Sequence, residues 1–441
     1  PRRPRLGSKA ATVATVLAVP ALLGWAGPVL GASLGHVVVG AVALAAFAAV
    51  SLAAHRRLWD ERPPAEDLTS FYVWVSVGGV VGGAAAALVA PIVFDSVVEF
   101  PLALAAGIAV LPAATTDPGR RAVLLRMAVG VAGAALLVTG SAVGALGIAV
   151  WAGAVFRRSP RAGAVVLVGV VALVTTVGVP GLLRRDRTFY GVSQVHQENG
   201  AHVLQSGTTV HGVQRTEPAR AAEPLAYYTR TGPIGQLFDA VQADDSSIDV
   251  GVVGLGAGSL AAYSRPGDRM TFYEIDPAVV GIAEDPSLFT YLSEAAGSVD
   301  VEVGDGRLLL NRADGRRHDV LVLDAFSSDA IPLHLLTREA FALYVDRLAE
   351  GGALAIHVSS RFFELAPEVA ALAADAGLDA LQLEHDAVTD PLAQPSHWVV
   401  ATADDDLLAT LAAAGWTAPE RAGDVWTDDH SDLLGTLRLG E

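Results

Sequence analysis

The stretch 248–277, IDVGVVGLGAGSLAAYSRPGDRMTFYEIDP, constrains the fold more than any other part of the chain. It opens with an apolar run at 250–253, the pattern of a strand buried on both faces. Gly254, Gly256 and Gly258 follow at once, and then small residues at 259–262 that can start a helix. A second apolar run at 270–273 ends on Glu274, twenty residues after Gly254. Strand, glycine turn, helix, strand and acid, in that order, specify an open α/β sheet with a nucleoside site at its edge. The glycines let backbone approach a ligand, and a carboxylate at that distance accepts hydrogen bonds from a ribose diol.

The spacing narrows the ligand. Ser259 stands where the dinucleotide fingerprint G-x-G-x-x-G needs its third glycine, so the pattern is G-x-G-x-G, a form common in folds that bind S-adenosylmethionine or its decarboxylated relative. After Glu274 the βα rhythm continues. A helix is expected from Pro277, strands at 299–307 and 318–326, a helix at 337–350, and a strand at 351–360. A helix at 367–377 and strands near 380–384 and 396–403 complete an open, mostly parallel sheet with helices on both faces. Ligands of such sheets bind at the carboxyl ends of the strands, where Glu274, Asp305 and Asp324 each fall. Three converging acids suggest a division of roles: Glu274 for the ribose, Asp305 with Gly306 for the adenine amino group, Asp324 for the reacting centre.

A different composition precedes this domain. The chain of 441 residues is apolar (mean hydropathy +0.44), and the apolarity is concentrated in the first 184 residues. Segments near 11–32, 35–54, 71–94, 101–116, 121–139, 141–157 and 163–183 are long enough, or nearly so, to cross a bilayer. Residues 1–184 carry a net charge of +7 and the remainder −24. The acidic part repels nucleic acid and suits a cationic substrate. No cysteine is present, which excludes disulfides, thiolate metal sites and a cysteine nucleophile. Lys9 is the sole lysine, which excludes Schiff-base and P-loop chemistry. A chain opening on Pro1 is expected to be a fragment or processed form. The arginine clusters at 157–161 and 184–187 fall on opposite sides of seven simple spans, so charge alone does not fix the orientation.

Within the membrane part, Gly78, Gly79, Gly82 and Gly83 have the small-xxx-small spacing of closely packed helices. Asp95 and Glu99 fall between two spans, at the expected water interface. Residues 188–230 read as β-hairpins turning at Glu198-Asn199-Gly200, and 231–243 as a helix. Asp428, Asp429, His430 and Asp432 read as a polar turn rather than a metal site. His211, His334, His357 and His397 are scattered in sequence and read as structural.

Several motifs together resemble the spermidine synthase family of polyamine aminopropyltransferases, in particular bacterial fusions of a multi-span membrane domain to such a domain. In the second half they are GLGAGSLA, YEIDP, GDGR, LDAFSSDAIPLHLLT, PSHWVV and WTDDHSDLL; in the first, HRRLWDERP, LTSFYVWVSVGG and LVAPIVFDSVVEFPL. The resemblance implies a transmembrane helical domain (1–184), a β-hairpin subdomain (185–230) and a Rossmann-like, methyltransferase-type α/β domain (231–441). It implies that Gly254, Gly256, Gly258, Glu274, Asp305 and Gly306 bind decarboxylated S-adenosylmethionine, without metal. It makes Asp324 the catalytic aspartate, a general base, with Asp329 and Tyr228 on the amine side. An amine or polyamine acceptor, a lipid bilayer and a cytoplasmic catalytic part follow, and a homo-oligomer is compatible. S-adenosylmethionine-dependent methyl transfer, or a non-catalytic transporter or sensor, are the rival readings.

The chain departs from the family on the amine side. Asp324 is followed by AFSSDAIP rather than the D-[ST]-x-D-P-x-G-P pattern, Gly191 stands where a glutamine is expected, and the segment Ala226-Tyr227-Tyr228-Thr229 lacks the usual acid. The nucleoside site carries over; diamine recognition does not.

Overall fold

The computed structural model describes residues 36–111, 181–243, 246–312, 315–326, 331–386, 390–420 and 425–438, with scattered helical positions in 161–172. The chain divides into two compact units, Pro1–Pro180 and Gly181–Glu441.

The described part of the first unit is helical. Gly40–Asp60 (21 residues) and Ala65–Val93 (29 residues) are apolar and long enough to cross a membrane. At 1.5 Å per residue each spans the roughly 30 Å of a hydrocarbon core. The helix Glu99–Ala109 has 11 residues and falls short of that length. The expected spans at 11–32, 121–139 and 141–157 lie outside the described residues, as does most of 163–183. Among the described residues two helices thus reach crossing length, at the expected segments 35–54 and 71–94. Helical hydrogen bonding between Ala65 and Val93 widens to a π-turn over Ala85–Val89, just before Pro91. Proline supplies no N–H and its ring crowds the carbonyl four residues back, which accounts for the irregularity. A Cβ at Gly78, Gly79, Gly82 or Gly83 would meet nothing within 4 Å, so no described residue packs on the expected small-residue face.

The second unit holds two sheets. Strands β1 (Leu182–Arg187), β2 (Val192–Glu198), β3 (Ala201–Ser206) and β4 (Thr209–Arg215) form an antiparallel meander in sequence order. Its first strand begins inside the expected 163–183 span, because Leu182 and the arginines after it pair with β2. The β2–β3 turn has positive φ at both Asn199 (50°) and Gly200 (74°), the geometry that matches the twist of a tight hairpin.

The larger sheet has seven strands: β5 (Asp249–Val253), β6 (Arg269–Glu274), β7 (Ser298–Val303), β8 (His318–Leu323), β9 (Leu348–His357), β10 (Asp379–His385) and β11 (Ser396–Thr402). Their order is β10-β11-β9-β8-β5-β6-β7, with β11 antiparallel to both neighbours and β5 to β9 parallel. The order reverses direction between β5 and β8, the position where ligands of open α/β sheets bind. Strand alternation sorts the core into two layers. Leu321, Leu323, Leu354 and Ile356 pack with the helices Arg338–Arg347 and Ala366–Asp375. Val320, Val322, Ala353 and Ala355 face the helices Pro233–Val241 and Asp405–Ala413.

Three local expectations need correction. Residues 259–263 form a 3-10 turn rather than an α-helix, Ser259–Tyr263. Strand β9 starts at Leu348, so the preceding helix ends at Arg347 and not at 350. Strand β7 ends at Val303, which leaves Asp305 free to cap the helix Gly306–Leu310 through Leu308 N–H (2.9 Å).

Candidate active site

The carboxyl ends of β5, β6 and β8 open into a cleft of about 990 Å³. Gly254, Gly256, Glu274, Asp305, Gly306, Asp324 and Tyr228 all line it; Gly258 does not. Asp329 lies outside the described residues.

The glycine loop is shaped by the protein on its far side. Gly254 has φ 104°, and a Cβ there would sit 2.4 Å from the Asp324 carbonyl oxygen. A Cβ on Gly256 (φ 55°) would sit 2.3 Å from the carbonyl oxygen of His211 in β4. Both the left-handed conformation and the backbone contact therefore require glycine. The same loop is pinned by Glu274, whose carboxylate accepts from Leu255 N–H (2.9 Å) and Asp276 N–H (2.9 Å). Burial pushes the Glu274 carboxyl up, and the backbone N–H groups of Asp276 and Leu255 work against that. Each carboxylate oxygen has a second lone pair, so Glu274 can hold the loop and still accept from a diol. A buried carboxylate at the cleft wall, bonded by backbone donors, fits a neutral hydroxyl-bearing nucleoside.

Asp324 follows β8 directly, its N–H donating to the Val253 carbonyl (2.8 Å). One carboxylate oxygen accepts from the Tyr228 hydroxyl (2.7 Å). The other lies 2.7 Å from His357 Nδ1, and the two side chains are 9% and 3% exposed. Burial first, and then the Asp324 charge, push the Tyr228 hydroxyl well up, so it remains a donor. Tyr228 is aimed by a strained segment: Ala226 has φ 54°, held by hydrogen bonds to Leu392 and Gln394 backbone. A left-handed alanine costs about 1–2 kcal/mol, which those contacts offset.

His357, read from the sequence as structural, lies in the cleft beside Asp324. Its neighbour relation follows from register: Leu323 pairs with Ile356 in parallel β8 and β9, so the residues just after them, Asp324 and His357, stand side by side. Its ring stacks on Trp398 (4.3 Å, 5°) from β11, and its Nε2 meets Ser359 Oγ at 2.8 Å. All four histidines read as scattered, His211, His334, His357 and His397, line this one cleft. Burial pushes His211 and His397 down, towards the neutral form. The signal available in the sequence was that ALAIH and LVLD each end an apolar run on a polar residue.

Asp305 also approaches His334 Nε2 (3.2 Å). Asp428 is taken up by Arg307 (2.7 and 2.8 Å) and the Thr337 hydroxyl (2.8 Å). Among the described residues no cluster suited to a metal is found.

The sheet order and the cleft at its reversal point define a Rossmann-like α/β fold of methyltransferase type. In sequence, the chain is 35% identical to a polyamine aminopropyltransferase of Vibrio vulnificus (strain CMCP6) over 114 residues, 25% of this chain. The chain spans 37% of that relative's length. The resemblance to the spermidine synthase family is thus carried by direct sequence similarity as well as by motifs. No family model matches the chain. Among solved structures it is similar to a probable spermidine synthase from Corynebacterium glutamicum ATCC 13032 (14% identity, 56% of this chain and 98% of that one, TM-score 0.41). A spermidine synthase from Thermotoga maritima is also similar (10% identity, 59% and 84%, TM-score 0.37).

Proposed function

We propose that the second unit transfers an aminopropyl group from decarboxylated S-adenosylmethionine to an amine. The observation that carries this reading is a single carboxylate, Asp324, set beside the nucleoside loop and held by two donors in a cleft. A primary alkylamine has a pKa of about 10 and is mostly protonated at neutral pH, so it must lose a proton before it can attack. Asp324 takes that proton. The nitrogen lone pair then forms a bond to the propyl carbon as the carbon–sulfur bond breaks. The sulfonium charge passes to the new secondary ammonium, and methylthioadenosine leaves as a neutral thioether. The sulfonium is already a good leaving group, so alignment and deprotonation are what the protein must supply. In this reading Glu274 holds the ribose, Asp305 and Gly306 face the adenine, and Tyr228 lies on the amine side. The altered segment after Asp324 favours an acceptor other than putrescine.

The first unit anchors the enzyme in a bilayer, as a multi-pass domain with the catalytic part cytoplasmic. The segment Ala65–Val93 supports anchoring: only 6% of its most apolar window is buried, and Trp74, Val80 and Ile92 are exposed. Water would not tolerate that much continuous apolar surface on one helix.

Calorimetric titration with decarboxylated S-adenosylmethionine, S-adenosylmethionine and methylthioadenosine tests the nucleoside assignment. Binding of the decarboxylated form and of methylthioadenosine, lost in Glu274→Ala, is expected. A preference for S-adenosylmethionine would replace this reading with methyl transfer, and no binding would refute both. Resistance of the chain to alkaline extraction from membranes tests the anchor.

A further inference from the structure

We infer that His357 is the positioning residue for Asp324: its Nδ1–H fixes one carboxylate oxygen so that the other faces the acceptor amine. This rests on the assignment of Asp324 as the base. With a neutral ring the surrounding hydrogen bonds select one tautomer. Nδ1–H donates to Asp324, Nε2 accepts from the Ser359 hydroxyl, and Ser359 Oγ accepts from His397 N–H (2.8 Å). Both ring nitrogens of His357 are thus engaged, and the ring lies flat on Trp398, which hinders its rotation. The other rings around it are Phe326 (4.9 Å), Tyr227 (5.2 Å) and Tyr228 (6.2 Å). The titratable groups facing the pair are Tyr227, Tyr228, His211 and His397. Tyr228 alone would leave Asp324 tethered at one oxygen and able to swing about that bond. Two donors on different oxygens lock the carboxylate plane. The positioning acts on the chemical step and not on nucleoside affinity, because His357 bonds to no residue of the glycine loop or to Glu274 in the contacts above.

Two substitutions separate positioning from packing. His357→Phe keeps an aromatic ring over Trp398 and removes the donor. His357→Asn gives up the stacking but can place an amide N–H near the Nδ1 position. Aminopropyl transfer is expected to fall about 100-fold in kcat for the phenylalanine variant, with KM for the nucleoside substrate unchanged. The asparagine variant is expected to recover to within about tenfold of wild type. If the phenylalanine variant is the more active of the two, the ring is there for packing and the inference fails. The second readout needs no activity: 15N NMR of histidine-labelled full-length protein, with the His357 signal assigned from its loss in His357→Asn. The Nδ1–H tautomer is expected in wild type and a mixture in Asp324→Ala. A tautomer indifferent to Asp324→Ala overturns the inference. If no variant, wild type included, transfers an aminopropyl group, the base assignment itself has failed, whatever the tautomer.

Discussion

Two aspartate–histidine pairs sit at opposite ends of the same sheet, and only one of them faces a cleft. At the closed end, His318 at the start of β8 is 1% exposed by side chain and bonds through Nδ1 to Asp249 of β5 (2.6 Å). At the open end, Asp324 after β8 bonds to His357 of β9 (2.7 Å). The acids of β6 repeat the contrast. Asp268, just before the strand and 1% exposed, accepts from Ile248 N–H, Arg265 N–H, the Arg265 guanidinium and the Gln242 amide. Glu274, at the strand's other end, accepts from two backbone N–H groups and borders the cleft. Residue type is the same at both ends. The closed end spends its acids on protein donors, which fastens loops and strand starts. The open end leaves lone pairs turned to a space that a substrate can fill.

Substitutions at the two ends should therefore separate activity from stability. Asp324→Asn is expected to lower aminopropyl transfer about 1000-fold, measured as methylthioadenosine release, with a melting temperature close to wild type. Equal activity would remove Asp324 from the chemistry. His318→Leu should do the converse. It removes one partner of the Asp249 carboxylate, which keeps Arg269 at 3.9 Å, and is expected to cost about 1–2 kcal/mol in urea unfolding, with activity per folded molecule nearly unchanged.

Glycine replacements sharpen the same contrast. A Cβ at Gly251 would meet the His318 ring at 2.8 Å, and one at Gly254 the Asp324 carbonyl at 2.4 Å. Gly251→Ala and Gly254→Ala are each expected to destabilise by about 1–3 kcal/mol, but only Gly254→Ala should weaken methylthioadenosine binding. If both weaken it equally, the two ends are not independent.

Smaller effects come from pH. The Glu274 carboxyl is raised chiefly by burial, so its contribution to stability is full below the ordinary glutamate value and fades as pH rises through its folded value. Glu274→Gln should remove that fading, seen as a flatter stability profile above the ordinary glutamate range. Asp428 shifts the other way, held down to about 2 by Arg307 and then Thr337. Its contribution is present above the ordinary aspartate value and lost as pH falls through about 2, so Asp428→Asn should alter only the acid limb of the unfolding curve. This exposed pair is the weakest of the set.

The nucleoside half was largely legible in the chain. Apolar runs of strand length, each closing on an acid, placed Glu274 and Asp324 at the carboxyl ends, because a parallel strand buried on both faces can carry polar residues only where it stops. The hairpin at Asn199-Gly200 was legible for the same local reason, since its turn geometry demands residues that accept positive φ. The seven apolar segments are a matter of composition, and within the described residues two helices reach crossing length.

What the sequence did not state was which donors bond each acid, and it left His357 out of the site. His357 lies 33 positions from Asp324 and reaches it only because β8 and β9 run parallel in one register. Tyr228 lies 96 positions away and arrives on a segment bent by Ala226. The glycine spacing announced a loop, but the contacts that make Gly254 and Gly256 obligatory come from Asp324, just after β8, and His211 of β4. Local sequence determined the strands, turns and strand-end acids, because those follow from burial and backbone sterics within a few residues. The partners that hold and aim those acids were decided by tertiary structure alone, because strand order and register leave no local trace in the chain.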